Sequence, residues 1–273
     1  MTKRKTKGIR RKVPLNEITT CHPSQTRKKR CLPTEIYAKA AKQGNPYTAV
    51  GCKDGEDHCL IDQVPLSDDV KKDLRTRYLR PRRPKGWDAE PEMWLDNYNI
   101  QHVMQQYQVA YPWFKFLGIF PIDFSAPNPY KKDHQECLYK ETCSLDLRKE
   151  YAANIRGIGM VFNLDPHYKG GSHWVGLYIN LHDITKPGVY YYDSYGFKTP
   201  PLIARLMRSF TLQIKDCVLG SNARRFQYGG SQCGMFSIYF IICMISGISF
   251  KEFCKDAVHD KTMADLRKIL FSK

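Results

Sequence analysis

Four residues in the second half of the chain have the types and the order needed for nucleophilic attack on a carbonyl: His173, Asp193, Gln227 and Cys233. That chemistry needs a thiolate, a base to generate it, a group to orient the base, and donors for the developing oxyanion. Cys233 follows the turn Gly229-Gly230-Ser231-Gln232 and leads into an apolar run, Met235 to Phe250. At a helix N-terminus, unpaired N–H groups and the positive end of the dipole stabilise a thiolate and can serve an oxyanion. Gly229, Gly230 and Gly234 would let a substrate backbone come close. Taken alone, Cys233 reads equally well as one more buried thiol.

The other three residues have ordinary readings too. His173 opens an apolar segment directly after Lys169-Gly170-Gly171-Ser172, and strand ends beside glycine-rich loops commonly expose functional groups. Trp174, next to it, could shield the imidazole from water, while the plain alternative is a satisfied strand-edge histidine. Asp193 closes Val189–Asp193. On a neighbouring strand its carboxylate would hold the imidazole tautomer and stabilise the imidazolium; otherwise it caps an Asx turn. Gln227 stands six residues before Cys233, and its amide could aim at an oxyanion beside the Cys233 N–H. Without that context it is a surface-loop glutamine.

The elements that must position these groups follow from periodicity. Ile155–Leu164, His173–Leu181 and Val189–Asp193 are rich in Val, Ile, Tyr and Phe and are bounded by Gly and Pro, which predicts three strands. The short connections favour antiparallel pairing. A further strand is predicted near Cys217–Leu219. Helices are predicted at Glu35–Gln43, at Ser67–Tyr78 with Ser67 as N-cap, over 90–109, over Leu138–Ala153, over Pro201–Gln213, from Cys233 onward, and over Phe250–Val258 and Thr262–Phe271. Pro112–Phe124 reads as buried but irregular. The segment Arg80-Pro81-Arg82-Arg83-Pro84-Lys85-Gly86 reads as a linker. The expected class is α+β, with a central mixed or antiparallel sheet flanked by helices and a helical N-terminal extension.

Charge is unevenly spread. The 273 residues carry a formal net charge of +16, and residues 1–30 alone hold +10 of it. Lys3, Arg4, Lys5, Arg10, Arg11, Lys12, Arg27, Lys28, Lys29 and Arg30 form a basic arm suited to a polyanion such as DNA; the plain reading is a solvated tail or an import signal. No apolar stretch follows the basic start, so no secretory signal is expected. Met235–Phe250, broken by Ser237, Ser246 and Gly247, is too short for a membrane span. Ten cysteines in a chain of this length read as mostly buried apolar thiols in a reducing compartment. Cys52 and Cys59, near His58, lack a second close pair to complete a zinc site. Neither metal nor cofactor is implied.

In conjunction the four residues say more than each does separately. His-Trp, then Asp at +20, then Gln, then Cys at +6 from that Gln resembles the adenain and SUMO-protease superfamily of cysteine proteases. Trp94-Leu95-Asp96-Asn97-Tyr98-Asn99-Ile100 looks like the segment with which such catalytic domains open. Within the superfamily the sequence is most similar to the polyprotein-processing proteases of African swine fever virus and related large DNA viruses. Gly51-Cys52 with Cys59, the Phe116-to-Phe124 stretch, Gly170-Gly171-Ser172-His173-Trp174-Val175, Pro200-Pro201 and Ser231-Gln232-Cys233-Gly234 carry that likeness over about residues 35–273. The African swine fever virus member has Asn where Asp193 stands, so Asp193 follows the broader superfamily, and many superfamily members have Asp where Gln232 stands. Composition sets a basic arm at 1–34, outside that likeness, and a helical extension and linker at 35–86, before the protease domain that the resemblance implies at 87–273. It implies an endopeptidase cutting viral capsid or core polyproteins after Gly-Gly-x motifs during virion maturation, in the virion core and the host cytoplasm. The groove would be formed by Trp174, Trp94, Gly229 and Gly230, with no membrane partner. An isopeptidase for ubiquitin-like modifiers, an acetyltransferase, and a basic nucleic-acid-binding core protein on a protease scaffold are the alternative readings.

Overall fold

The computed structural model describes residues 21–23, 30–129, 131 and 136–272. Its centre is a five-stranded sheet in sequential order: β1 Phe114–Pro121, β2 Gly157–Asn163, β3 Trp174–Asn180, β4 Gly188–Tyr192 and β5 Val218–Ser221. The pairs β2–β3 and β3–β4 are antiparallel, as short connections require. The outer pairs β1–β2 and β4–β5 are parallel, so the sheet is mixed. β1 replaces the irregular segment expected at 112–124. Its Phe114, Phe116 and Phe120 are buried, and its backbone pairs along β2 with a register shift between Phe116 and Gly118.

The helices are, in chain order, α1 Thr34–Ala40, α2 Pro46–Ala49, α3 Asp57–Gln63, α4 Asp68–Tyr78, α5 Asn97–Ala110, α6 Lys140–Cys143, α7 Leu147–Ala152, α8 Pro201–Thr211, α9 Cys233–Ile245, α10 Phe250–Lys255 and α11 Asp260–Leu270. Ser67 caps α4 by accepting from the Val70 N–H. The helix expected over 90–109 begins only at Asn97, because Asp96 and Asn99 form a reciprocal capping box there. The helix expected over 138–153 is two short ones, interrupted where Asp146 caps the second.

Two apolar layers sandwich the sheet. On one face β2, β3 and β4 present Ile158, Met160, Val175, Leu177, Ile179, Val189 and Tyr191 to the α8 stripe Ile203, Leu206, Met207 and Phe210. On the other lies α9, every residue of which is buried, against Phe114, Val161, Trp174, Tyr178 and Tyr192. Two strand glycines make that approach possible. A Cβ on Gly176 would sit 2.8 Å from Cδ1 of Phe240, and one on Gly159 would meet Phe114 and Ile241. Among the described residues no helix is long and apolar enough to cross a membrane.

The extension has its own small core, Leu32, Ile36, Tyr37, Tyr47, Leu60, Ile61, Val64, Leu74 and Leu79. Asp57 organises it. Its buried carboxylate accepts from the Tyr37 hydroxyl at 2.7 Å, the Tyr47 hydroxyl at 2.8 Å and the Cys31 N–H at 3.2 Å. The segment expected to be a free linker is tied to the C-terminal end of the fold. Arg83 N–H donates to Ser272 O, Ser272 N–H donates to Pro81 O, and Trp87 packs edge-on to Phe271. Cys21 and His22, assigned to the arm by composition, are buried, with His22 against Tyr107 and Tyr111. Arg30 lies 5.1 Å over the Tyr37 ring; Lys3, Arg4, Lys5, Arg10, Arg11, Lys12, Arg27, Lys28 and Lys29 lie outside the described residues.

The cysteine reading needs correction. Six of the ten cysteines form short-range disulfides, Cys21–Cys31, Cys52–Cys59 and Cys137–Cys143, and Cys217, Cys233, Cys243 and Cys254 are free. Each bridge closes a loop of 6 to 10 residues that lacks the apolar content to hold itself, which composition over the whole chain does not reveal. Chain-entropy arguments give roughly 2–3 kcal/mol for closing a loop of this size. Alkylation of the denatured, unreduced protein is expected to label the four free cysteines only. Reduction should lower the thermal midpoint by several degrees. Labelling of all ten without reduction would refute the pairing.

Candidate active site

His173 and Asp193 meet because of strand register. The last antiparallel pair of β3 and β4 sets Gly176 opposite Tyr192. Continued past the sheet, that register brings His173 level with Tyr195, two residues beyond Asp193. Nε2 of His173 lies 2.9 Å from Oδ1 of Asp193, and the Tyr195 ring stacks on the imidazole with centroids 4.9 Å apart. With Nε2 engaged by the carboxylate, the opposite ring edge is the one open to a second partner, and the Cys233 side chain is near enough to raise the imidazole pKa.

Cys233 is the first residue of α9 and is 2% exposed. The first N–H groups of a helix have no intrahelical acceptor, so donors converge beside the sulfur. Gly234 serves packing. Its missing Cβ would sit 3.1 Å from Leu95 and 3.2 Å from Trp174, so the glycine seats the helix under the tryptophan rather than admitting substrate, as its sequence context had implied. Gly230 does face open space.

Asp193 is fully buried. Oδ1 also accepts from the Tyr195 N–H at 2.7 Å, while the backbone is clamped by Asn222, whose Oδ1 accepts from Asp193 N–H and whose Nδ2 donates to Asp193 O. Oδ2 has no hydrogen-bond partner among the described residues. Burial by itself would lower the His173 pKa. The Asp193 carboxylate and the Cys233 sulfur outweigh it, and the imidazole is pushed up to about 9. The site therefore favours the charged form of the imidazole.

Gln227 is also fully buried, and its amide is already engaged. Its Oε1 accepts from Ser194 Oγ at 2.7 Å; its Nε2 donates to Gly229 O at 2.7 Å and to Tyr195 Oη at 3.2 Å. The expected free donor is thus present but occupied. Asp260 Oδ2 accepts from the Tyr228 and Gly229 N–H groups and holds this turn from the far side.

The expected groove residues separate into wall and turn. Trp174 is 9% exposed, its Nε1 donating to Leu95 O at 2.9 Å. Trp94 is 45% exposed. Both line a cavity of about 430 Å³ with Asn97, Asn163, Gly170 and Gly171. Gly229 and Gly230 lie outside that cavity, on the turn before Cys233. A cavity of about 500 Å³ between α4 and α5 is lined by none of the four residues. Among the described residues no group of three or more His, Cys, Asp or Glu could hold a metal ion. Sequence reasoning missed Asn222, Ser194, Tyr195, Asp260 and Arg267. Only Ser194 and Tyr195 carried a signal, as the residues directly after the candidate acid.

Residues 125–273 match the Ulp1 protease family, C-terminal catalytic domain. The chain is 27% identical over 224 residues to a protein of Acanthamoeba polyphaga mimivirus named as a thiol protease, covering 78% of this chain and 68% of that one. It is 24% identical over 276 residues to a cysteine protease of African swine fever virus, covering 94% of this chain and 98% of that one. The crystal structure of an African swine fever virus protease superposes with a TM-score of 0.69 at 18% identity, over 94% of this chain and 97% of the other. The fold is shared across both lobes.

The raised His173 value has a definite sign. Protonation favours the folded state fully below the unfolded value of about 6.5, and that contribution is lost as pH rises through about 9. A histidine NMR titration should therefore place His173 near 9. In Asp193→Asn, burial is opposed by one partner fewer and the midpoint should fall well below 9. A midpoint unchanged by that substitution would sink the account.

Proposed function

The chain belongs to the Ulp1 protease family and is a cysteine protease, and from that premise we propose that it is an endopeptidase acting on viral capsid or core polyproteins at Gly-Gly-x sites during virion maturation. Cys233 is the nucleophile, His173 the base and acid, Asp193 the orienter, and Gln227 with the Cys233 N–H the oxyanion donors. The observation that carries this assignment is the arrangement of Asp193, His173 and Cys233 at one end of the sheet, with the imidazole hydrogen-bonded to Asp193 and influenced by the nearby Cys233 side chain.

The Cys233 thiolate adds to the scissile carbonyl, forming a C–S bond and an oxyanion. His173, as imidazolium, gives its proton to the leaving amine as the C–N bond breaks. Water, deprotonated by His173, then adds to the acyl carbon; the C–S bond breaks, the carboxylic acid leaves, and the thiolate and imidazolium are restored. Asp193 remains ionised throughout. Gln227 contributes when its amide turns from the longer contact, Tyr195 Oη at 3.2 Å, toward the oxyanion. Gly-Gly preference follows from the approach to Cys233. Trp174 is fixed over Gly234 by its bond to Leu95 O and cannot swing away, so side chains just before the scissile bond would clash. The extent of the likeness to the African swine fever virus protease, across both lobes, supports a polyprotein substrate, and with it an assembling virion in the host cytoplasm as the place of action.

Cys233→Ala is expected to abolish cleavage of a Gly-Gly-x peptide and labelling by a vinyl sulfone probe while the fold remains. Gln227→Ala should lower kcat about 10²–10³-fold. The same assay run with a ubiquitin-like conjugate and with acetyl-CoA separates the readings: faster release of a modifier than peptide cleavage would replace the polyprotein assignment with isopeptidase action.

The basic arm is proposed to bind DNA beside packed genome, since residues 1–30 hold +10 of the net +16. Counterion release makes such binding fall steeply with salt. Gel shifts should show at least about tenfold weaker binding at physiological than at low salt. Removing residues 1–30 should abolish most binding and spare peptide cleavage; equal DNA affinity with and without the arm would eliminate it as the binding element.

A further inference from the structure

The loop 228–232 that delivers Cys233 is held from outside by a single helix. Asp260 and Arg267 stand seven residues apart on α11, two turns and about 10.5 Å along one face. At the first turn, Asp260 Oδ2 accepts from Tyr228 N–H at 3.0 Å and Gly229 N–H at 3.1 Å. Two turns on, Arg267 reaches the other end of the same loop. Its Nε donates to Gln232 Oε1 at 3.0 Å and its Nη2 to Ser231 O at 3.4 Å. Its Nη1 donates to Met93 O at 2.8 Å, beside groove residue Trp94, and the guanidinium lies 4.5 Å over the Trp87 ring. One side chain thus joins the nucleophile loop to the groove wall.

Arg267 is 3% exposed, and among the described residues no carboxylate forms an ion pair with it. Burying a guanidinium on neutral acceptors is costly. Burial brings the guanidinium pKa down to about 10, against the opposing effect of nearby Glu92 and Cys233. At neutral pH it is a cation. The titratable and charged groups facing Cys233 are His173, Tyr195 and Arg267, with Asp193 behind His173.

We propose that Asp260 and Arg267 are positioning residues for the proteolytic reaction, which clamp the nucleophile loop at its two ends and so fix where Cys233 stands against His173. This rests on Cys233 being the nucleophile. Neither side chain need touch substrate to do so.

Peptide kinetics test the clamp, and alkylation of Cys233 by iodoacetamide, followed by mass mapping, checks the nucleophile. Arg267→Lys keeps the cation and loses the fork, so kcat should fall about tenfold with little change in KM. Asp260→Asn, which keeps the side-chain shape and weakens the acceptor, should lower kcat in the same way while the fold, followed by circular dichroism, remains. A wild-type kcat in either variant overturns the clamp. Absence of alkylation at Cys233 in the wild-type protein would instead overturn the nucleophile assignment, a separate outcome.

Discussion

The seating of α9 on the sheet is the constraint on which the rest depends. A helix apolar on every side is stable only when covered on every side, and the strands cover it closely because Gly159 and Gly176 remove the side chains that would hold it off. Once α9 lies against β3, its first residue falls at the end of the sheet where β3 begins. The Cys233 sulfur and the imidazole of His173 are then neighbours without any long loop having to bring them together. Adding a methyl at Gly176 would push α9 outward and separate the two groups before it touched either.

Charge is handled at this end of the sheet by full enclosure rather than by solvent. Asp193 is buried, yet its carboxylate is useful only when ionised. Its cost is offset by the imidazolium, by the Tyr195 N–H and by the backbone clamp from Asn222. Gln227 and Ser194 form a second buried polar pair next to it. Such networks are rigid when every member is satisfied, and here almost every member is. The unsatisfied Oδ2 of Asp193 is the exception.

The helical extension is a separate small core organised by Asp57, but it is not free of the protease lobe. Pro81 and Arg83 pair with Ser272, Trp87 packs on Phe271 and under Arg267, and Gln106 of α5 donates to Leu79 O.

The elements with strong local signals were legible in the residues alone. The alternation in 155–193 gave the three central strands, the stripe in 201–211 gave α8, and the order His173, Asp193, Gln227, Cys233 gave the candidate site and its family. The failures share a cause. β1 is an aromatic run that becomes a strand only because β2 offers it a parallel edge, and no local periodicity announces a distant partner. The disulfides depend on which loops close in space. Gln227 has the right place in the order, but whether its amide is free depends on Gly229 and Tyr195. Asp260 and Arg267 lie in an ordinary amphipathic helix, and their bearing on Cys233 exists only after the chain has returned to the loop more than thirty residues upstream. Residue type and order along the chain determined what chemistry this protein has. Tertiary packing decided which groups are buried, which charges are paired and which donors are occupied, because desolvation and hydrogen bonding depend on neighbours that sequence separation does not reveal.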